Sequence, residues 1–142
     1  LAFAQAPAKE VAWEPAPRTK EYAWMSTDTW KKLHESHLAI TKKGDVEVAF
    51  LGDSITQGWG NNGPWKKHFV PLKAANYGIG GDTTQNVLWR LEHGAFDGIS
   101  PKAVVLMIGT NNFGLAGDNA ADTAKGIGAV VAAIRKKTPD AK

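Results

Sequence analysis

Two kinds of apolar pattern run along this chain. Val48-Ala49-Phe50-Leu51 and Val104-Val105-Leu106-Met107-Ile108 are continuous apolar runs, as expected of parallel strands covered on both faces. Elsewhere the apolar positions fall at helical spacing. Trp30, Leu33, His37 and Ile40 form one such stripe. Thr27 or Asp28 can cap that helix, which runs to about Lys43 and is stopped by Gly44. A first strand is predicted over Val46 to Leu51, and a glycine-rich loop with Gly58, Gly60, Asn61, Asn62, Gly63 and Pro64 follows it. A short helix around Trp65 to Val70 and a short strand at Ala74 to Tyr77 come next. Asp82-x-x-Gln85 has the form of a capping box for a helix that carries Val87, Leu88 and Leu91 on one face and closes at Gly94. A last helix places Ala120, Ala124, Ile127, Val131 and Ile134 on one stripe, with Pro139 at its end.

The order strand, helix, strand, helix, strand, helix predicts an α/β fold with a parallel sheet and right-handed crossovers. Three strands leave at least one sheet edge unpaired. A further part of the polypeptide, or a complementary chain, is expected to cover it. Residues 1–22 hold Pro7, Pro15 and Pro17 among alanines, a composition suited to an extended, poorly ordered arm. Residues 23–142 are left as the domain proper.

Composition narrows the function classes. The chain has 142 residues, enough for one domain. Its net charge is +3, with the basic residues scattered in short pairs such as Lys31-Lys32 and Lys66-Lys67. No basic stripe interleaved with aromatics appears, which argues against nucleic-acid binding. No apolar stretch is long enough to span a membrane. There is no cysteine, so disulfides and thiolate metal sites are excluded. Leu1-Ala2-Phe3-Ala4-Gln5-Ala6 reads like the tail of a signal peptide, with Ala2-x-Ala4 as a cleavage site. A secreted or periplasmic protein is therefore expected.

The candidate chemistry lies at the ends of the three strands. Gly52-Asp53-Ser54 follows the first apolar run, and open α/β sheets place their chemistry at the carboxyl ends of strands. A serine there is a candidate nucleophile, although Asp53-Ser54-x-Thr56 is equally a turn or cap. Gly78-Ile79-Gly80-Gly81-Asp82 follows the second strand, where backbone N–H groups can face an anion. A dinucleotide loop would need a third glycine where Thr83 stands, and a ribose-binding acid that has no clear candidate. Gly109-Thr110-Asn111-Asn112 follows the third strand. An asparagine amide can donate to an oxyanion, or close an Asx turn.

Taken together, Phe50-Leu51-Gly52-Asp53-Ser54, Asn76 to Thr84, Val87-Leu88-Trp89-Arg90-Leu91 and Ile108-Gly109-Thr110-Asn111-Asn112 resemble the SGNH (GDSL-type) serine esterases. Within that family they are most like the branch of the platelet-activating-factor acetylhydrolase isoform Ib catalytic subunits. The resemblance runs from about Val46 to Lys142. It implies a flavodoxin-like three-layer α/β/α fold, truncated after the third strand–helix unit. It also implies ester hydrolysis without metal or cofactor. Ser54 is the implied nucleophile, and the N–H groups of Ser54 and Gly81 with the side chain of Asn111 form the implied oxyanion hole. Asp53, Trp59 and Asn112 are assigned to substrate binding, and a homodimer is a further expectation.

One part of the family pattern is missing: no Asp is followed three residues later by His. Of the four histidines, His34 and His37 are expected on a helix surface, and His93 at a helix end. His68 is the one expected near the Ser54 loop, and its service as a base stays open. Arg90 is expected at a helix surface, pairing with Asp82 or Glu92. Tryptophans at 59 and 65 flank the Ser54 loop, and indole faces stack on sugars, so an acetylated carbohydrate is one candidate substrate. The reading is a hydrolase of short-chain esters, acetyl foremost. Its rival is a non-catalytic ligand-binding or interaction module on the same fold.

Overall fold

A computed structural model describes residues 8–60 and 62–142, and it forms an α/β architecture on one parallel sheet. Helix α1 (Thr27–Lys43) starts from Ser26, whose side chain accepts from the Thr29 N–H, and ends at Gly44 with φ 76°. Strand β1 (Val48–Gly52) leads directly into α2 (Ser54–Trp59). A π-helical turn (Trp65–Phe69) and a 3₁₀ turn (Val70–Leu72) connect to β2 (Ala74–Gly78). Helix α3 (Thr84–Glu92), β3 (Ala103–Met107), a π-helical turn (Asn112–Ala116) and α4 (Ala120–Lys137) complete the order.

The strands lie in the order β2-β1-β3, all parallel, with Val48 opposite Ala74 on one side and Ala103 on the other. The core sits on one face of this sheet. Ala49, Leu51, Ala75 and Tyr77 meet Val87, Leu91, Phe96, Val130 and Ile134 there. On the opposite face Phe50 packs edge-on against Trp65 and Phe69, at 5.0 and 5.1 Å between ring centroids. Beyond them Val105 and Met107 of β3 stay exposed. The outer edge of β3 already carries two backbone bonds from the chain's return after α4. Lys142 N–H donates to Lys102 at 2.9 Å, and Val104 N–H donates to Lys142 at 2.8 Å.

Several expectations are corrected here. The segment after β1 is helical from Ser54 to Trp59, not a loop throughout. Gly78 permits this, because a Cβ on it would collide with the backbone of Gln57 as α2 crosses the end of β2. The capping box of α3 is one residue later than expected, with Thr83 as cap and Asn86 as its partner. The buried stripe of α4 is Thr123, Gly126, Val130 and Ile134, rotated from the expected one, while Ala120, Ala124 and Val131 face out. Gly126 sets that rotation: its bare Cα meets Thr84 and the Ala12 carbonyl.

The arm is docked rather than loose over its described part. Ala12 and Arg18 are buried. Ala16 N–H donates to the Gln85 carbonyl at 3.1 Å, Thr84 Oγ1 donates to Ala12 at 2.7 Å, and Asn86 Nδ2 donates to Ala16 at 3.0 Å. Expectations placed on residues 1–7 and on Asn61 lie outside the described residues.

Candidate active site

Ser54 is the first residue of α2 and is exposed above the sheet. Neither its hydroxyl nor its N–H makes a hydrogen bond among the described residues. Asp53 caps the same helix, its carboxylate accepting from Ile55 N–H at 3.0 Å. Gln57, one turn on, ties α2 to the next loop: its Oε1 accepts from Gly80 N–H at 2.7 Å. The Gly80-Gly81 turn is thereby held beside the serine.

Gly81 has φ +77°, a conformation that favours glycine. Space selects it too, since a Cβ there would lie 2.5 Å from Trp24 Cη2. The Gly81 N–H has no partner among the described residues. Asn111 donates through Nδ2 to the Asp82 carbonyl at 3.0 Å and lies 3.5 Å from Asp53 Oδ2. The first contact is a full hydrogen bond and the second is weak. One amide N–H is therefore held only loosely. Ser54, Gly81 and Asn111 line one cleft of about 420 Å³, with Trp24, Gln57 and Leu115 among its other walls.

Asp82, directly after Gly81, is the anchor of this loop. It is fully buried and meets Arg18 Nη2 at 3.0 Å, Arg90 Nη2 at 2.7 Å and the Trp30 indole N–H at 2.6 Å. Arg90 is fully buried, contrary to the expected surface position, and also donates to the Tyr77 carbonyl. Burial pushes the Asp82 carboxyl up, against the pull of Arg90, Trp30 and Arg18. Burial likewise pushes the Arg18 guanidinium down. The ion cluster joins four segments at one point: the arm, α1, the Gly81 turn and α3.

Three of the six site residues expected from sequence share the cleft, and three stand elsewhere. Asn112 is fully buried and does not line the Ser54 cleft. Its Oδ1 accepts from Thr84 N–H and its Nδ2 donates to Thr84, Gln85 and Asp118. Asp53 is buried and occupied with capping. Trp59 closes α2, packs edge-on against Phe69 at 6.3 Å and does not line the Ser54 cleft. The indole at the cleft is Trp24, stacked on Tyr22 at 4.7 Å. A tight turn closed by reciprocal Tyr22–Met25 backbone bonds presents it. Sequence gives no periodicity for that turn.

No histidine lines the cleft among the described residues. His68 is exposed on the π-helical turn over Phe50. His34 and His37 are buried instead of lying on the helix surface. Burial, then the nearby Arg90 charge, lowers them to about 4 and about 3. Among the described residues no group of His, Cys, Asp or Glu could hold a metal ion. No helix among them is long and apolar enough to cross a membrane.

Residues 50–142 match the model of the GDSL-like Lipase/Acylhydrolase family. The chain is similar to platelet-activating factor acetylhydrolase IB subunit alpha1 of Bos taurus, at 43% identity over 80% of this chain and 47% of that protein. It is also 41% identical to subunit alpha2 of Gallus gallus, over 81% and 49% of the two chains. The IB subunit beta homolog of Drosophila melanogaster is 40% identical, over 79% and 48%. The chain thus spans about half the length of the curated relatives it matches. A solved Streptococcus pneumonia structure, described as a candidate platelet activating factor, superposes with a TM-score of 0.65 at 18% identity. It covers 79% of this chain and 51% of that one, and shows the fold alone. These matches overturn the secreted or periplasmic placement read from Leu1–Ala6. The similarity is to acetylhydrolase IB subunits, and the residues that suggested export lie outside the described ones.

Proposed function

Because this chain belongs to the GDSL-like lipase/acylhydrolase family, we propose that it carries the nucleophile half of a serine esterase acting on short-chain esters, acetyl foremost. The observation that supports this most is the convergence in one cleft of the Ser54 hydroxyl and the N–H groups of Ser54 and Gly81, all without partners among the described residues, and the Asn111 amide.

In this reading Ser54 Oγ attacks the ester carbonyl carbon and gives its proton to a general base. The carbonyl oxygen gains the negative charge and takes hydrogen bonds from the Ser54 and Gly81 N–H groups. Asn111 turns its loosely held N–H from Asp53 toward the same oxygen. Each such donor is worth roughly 2.7–4 kcal/mol in the transition state. The tetrahedral intermediate collapses, the alcohol leaves with the base's proton, and water releases the acyl group by the reverse sequence. The base and its orienting acid come from polypeptide outside this chain. The open edge of β3, where Lys142 already pairs, is where that polypeptide adds to the sheet. Residues 23–142 are then part of one domain, with 1–22 as the arm that buttresses it.

A fluorophosphonate probe on the full-length protein tests the reading. A single adduct on Ser54, abolished by Ser54→Ala, is expected. Turnover of acetyl esters that survives Ser54→Ala would end it. Ligand binding without labelling or turnover would favour the non-catalytic module.

A further inference from the structure

Val70 and Leu72, each 54% exposed, form an apolar tip just before β2. Strand β2 starts at Ala74, opposite Val48 of β1. The tip therefore lies at the amino ends of the strands, and Ser54 at their carboxyl ends. Strand β2 is also the sheet edge away from β3, so polypeptide added along β3 extends the sheet away from the tip. The sequence explains why these two side chains stay out. Trp65 and Phe69 take the inward positions of the π-helical turn, against Phe50. Pro71 then fixes the 3₁₀ turn, and Lys73 ends it at φ 53°. Cations surround the tip. Lys66 and Lys67 precede it in the π-helical turn, and Lys43 and Lys73 line one groove of about 510 Å³ with Val70 and Trp65. Asp45 is the one acid in that lining, and Lys73 holds it at 2.9 Å. Lys43, Lys66 and Lys67 have no carboxylate partner among the described residues. The α1 dipole accounts for Lys43 at that helix's end, but a five-residue turn has no comparable dipole to account for Lys66 and Lys67.

We propose that this tip docks on an anionic lipid surface, with Val70 and Leu72 entering the headgroup layer and Lys43, Lys66 and Lys67 meeting the lipid anions. An apolar face rimmed by lysines is the pattern of interfacial binding. Long lysine stems let the charge stay with the headgroups while the apolar atoms sink. Composition favours a bilayer over a protein partner, because lysine is depleted from protein interfaces and Val and Leu rarely anchor them. A docked molecule turns the Ser54 cleft toward water, since the cleft and the tip occupy opposite ends of the strands.

The test is co-sedimentation of the full-length protein with vesicles of phosphatidylcholine alone, or of an equimolar mixture with phosphatidylserine. Binding to the anionic vesicles only, weakened by added salt, is expected. Lys66→Gln and Lys67→Gln should each lower the partition coefficient about fivefold, the scale of one cation at an anionic membrane. Leu72→Gln should lower it by about fivefold as well, since roughly half of a leucine is there to bury. Lys31→Gln, near the start of α1, should leave it unchanged. All these side chains are exposed, so thermal melts of the variants should match the parent. Soluble polyglutamate separates charge alone from a bilayer. No vesicle binding, or equal binding to both vesicles, would overturn the proposal. Polyglutamate binding that Leu72→Gln leaves intact, without vesicle binding, would assign the patch to an acidic protein instead. A dimer that Leu72→Gln dissociates, again without vesicle binding, would assign it to a second copy of the chain. No readout needs turnover, so the result is independent of whether Ser54 is a nucleophile.

Discussion

Lowering the pH from 7.5 to 5 should remove about 4 kcal/mol of folding stability through two histidines alone. His34 and His37 are buried on the inner face of α1, beside Trp89, Tyr77 and Arg90. Burial and the Arg90 charge lower them from 6.5 to about 4 and about 3 in the folded state. In the unfolded chain both revert to about 6.5. Below that value the unfolded state binds protons that the folded state refuses, so stability falls as pH falls. The full contribution is present above pH 6.5 and is lost progressively down to the folded values. At pH 5 each histidine, still neutral when folded, costs about 2 kcal/mol. Two such losses are a large share of the 5–15 kcal/mol typical of a domain. Urea unfolding midpoints at half-unit pH steps measure the curve. His37→Gln removes one titrating group and should roughly halve the slope between pH 6.5 and 5. A flat profile over that interval, or imidazole resonances of His34 and His37 that titrate near 6.5, would refute the burial argument.

Two further perturbations address the frame around the cleft. Asp82→Asn leaves Arg18 and Arg90 facing each other without a carboxylate, and should cost about 3–5 kcal/mol in denaturant unfolding; a loss under 1 kcal/mol would mean that the cluster is solvated. Gly126→Ala places a Cβ 2.5 Å from Thr84 Oγ1 and 2.6 Å from the Ala12 carbonyl, so it should destabilise by about 1–3 kcal/mol and release the arm to limited proteolysis before Thr27. An unchanged cleavage pattern would show that the arm is held without α4.

Strands β1 and β3 and the spans of the outer helices were legible because continuous apolar runs and helix-ending residues are local signals, although α1 is capped by Ser26 and not by Thr27 or Asp28. Gly44 after Lys43 and Pro139 after α4 mark helix ends without any tertiary knowledge. Helix α2 was not legible, since Gly58 and the glycines after it read as loop; tertiary contact with the bare Gly78 lets the helix form. In the site, Ser54, Gly81 and Asn111 came from a multi-motif resemblance that local propensity could not supply. Asn111 and Asn112 are indistinguishable by chemistry. The tight turn at Asn111 sends one side chain to the cleft and the other into the core. Trp24 and Arg18 were missed for a related reason. Arg18 meets Asp82 across 64 residues of sequence, and no period in the chain announces such a pair.

The two bonds that Lys142 makes with Lys102 and Val104 carry a consequence for engineering. In a parallel ladder, one residue that straddles its neighbour's peptide groups dictates the partner of every residue after it. A slip by a single position would turn each following side chain to the opposite face. A segment joined covalently to Lys142 would therefore enter along β3 in a register that Lys142 has already set. Split-reporter or semisynthetic versions of this fold have a ready seam there, with the exposed Val105 and Met107 as the surface that rewards correct joining.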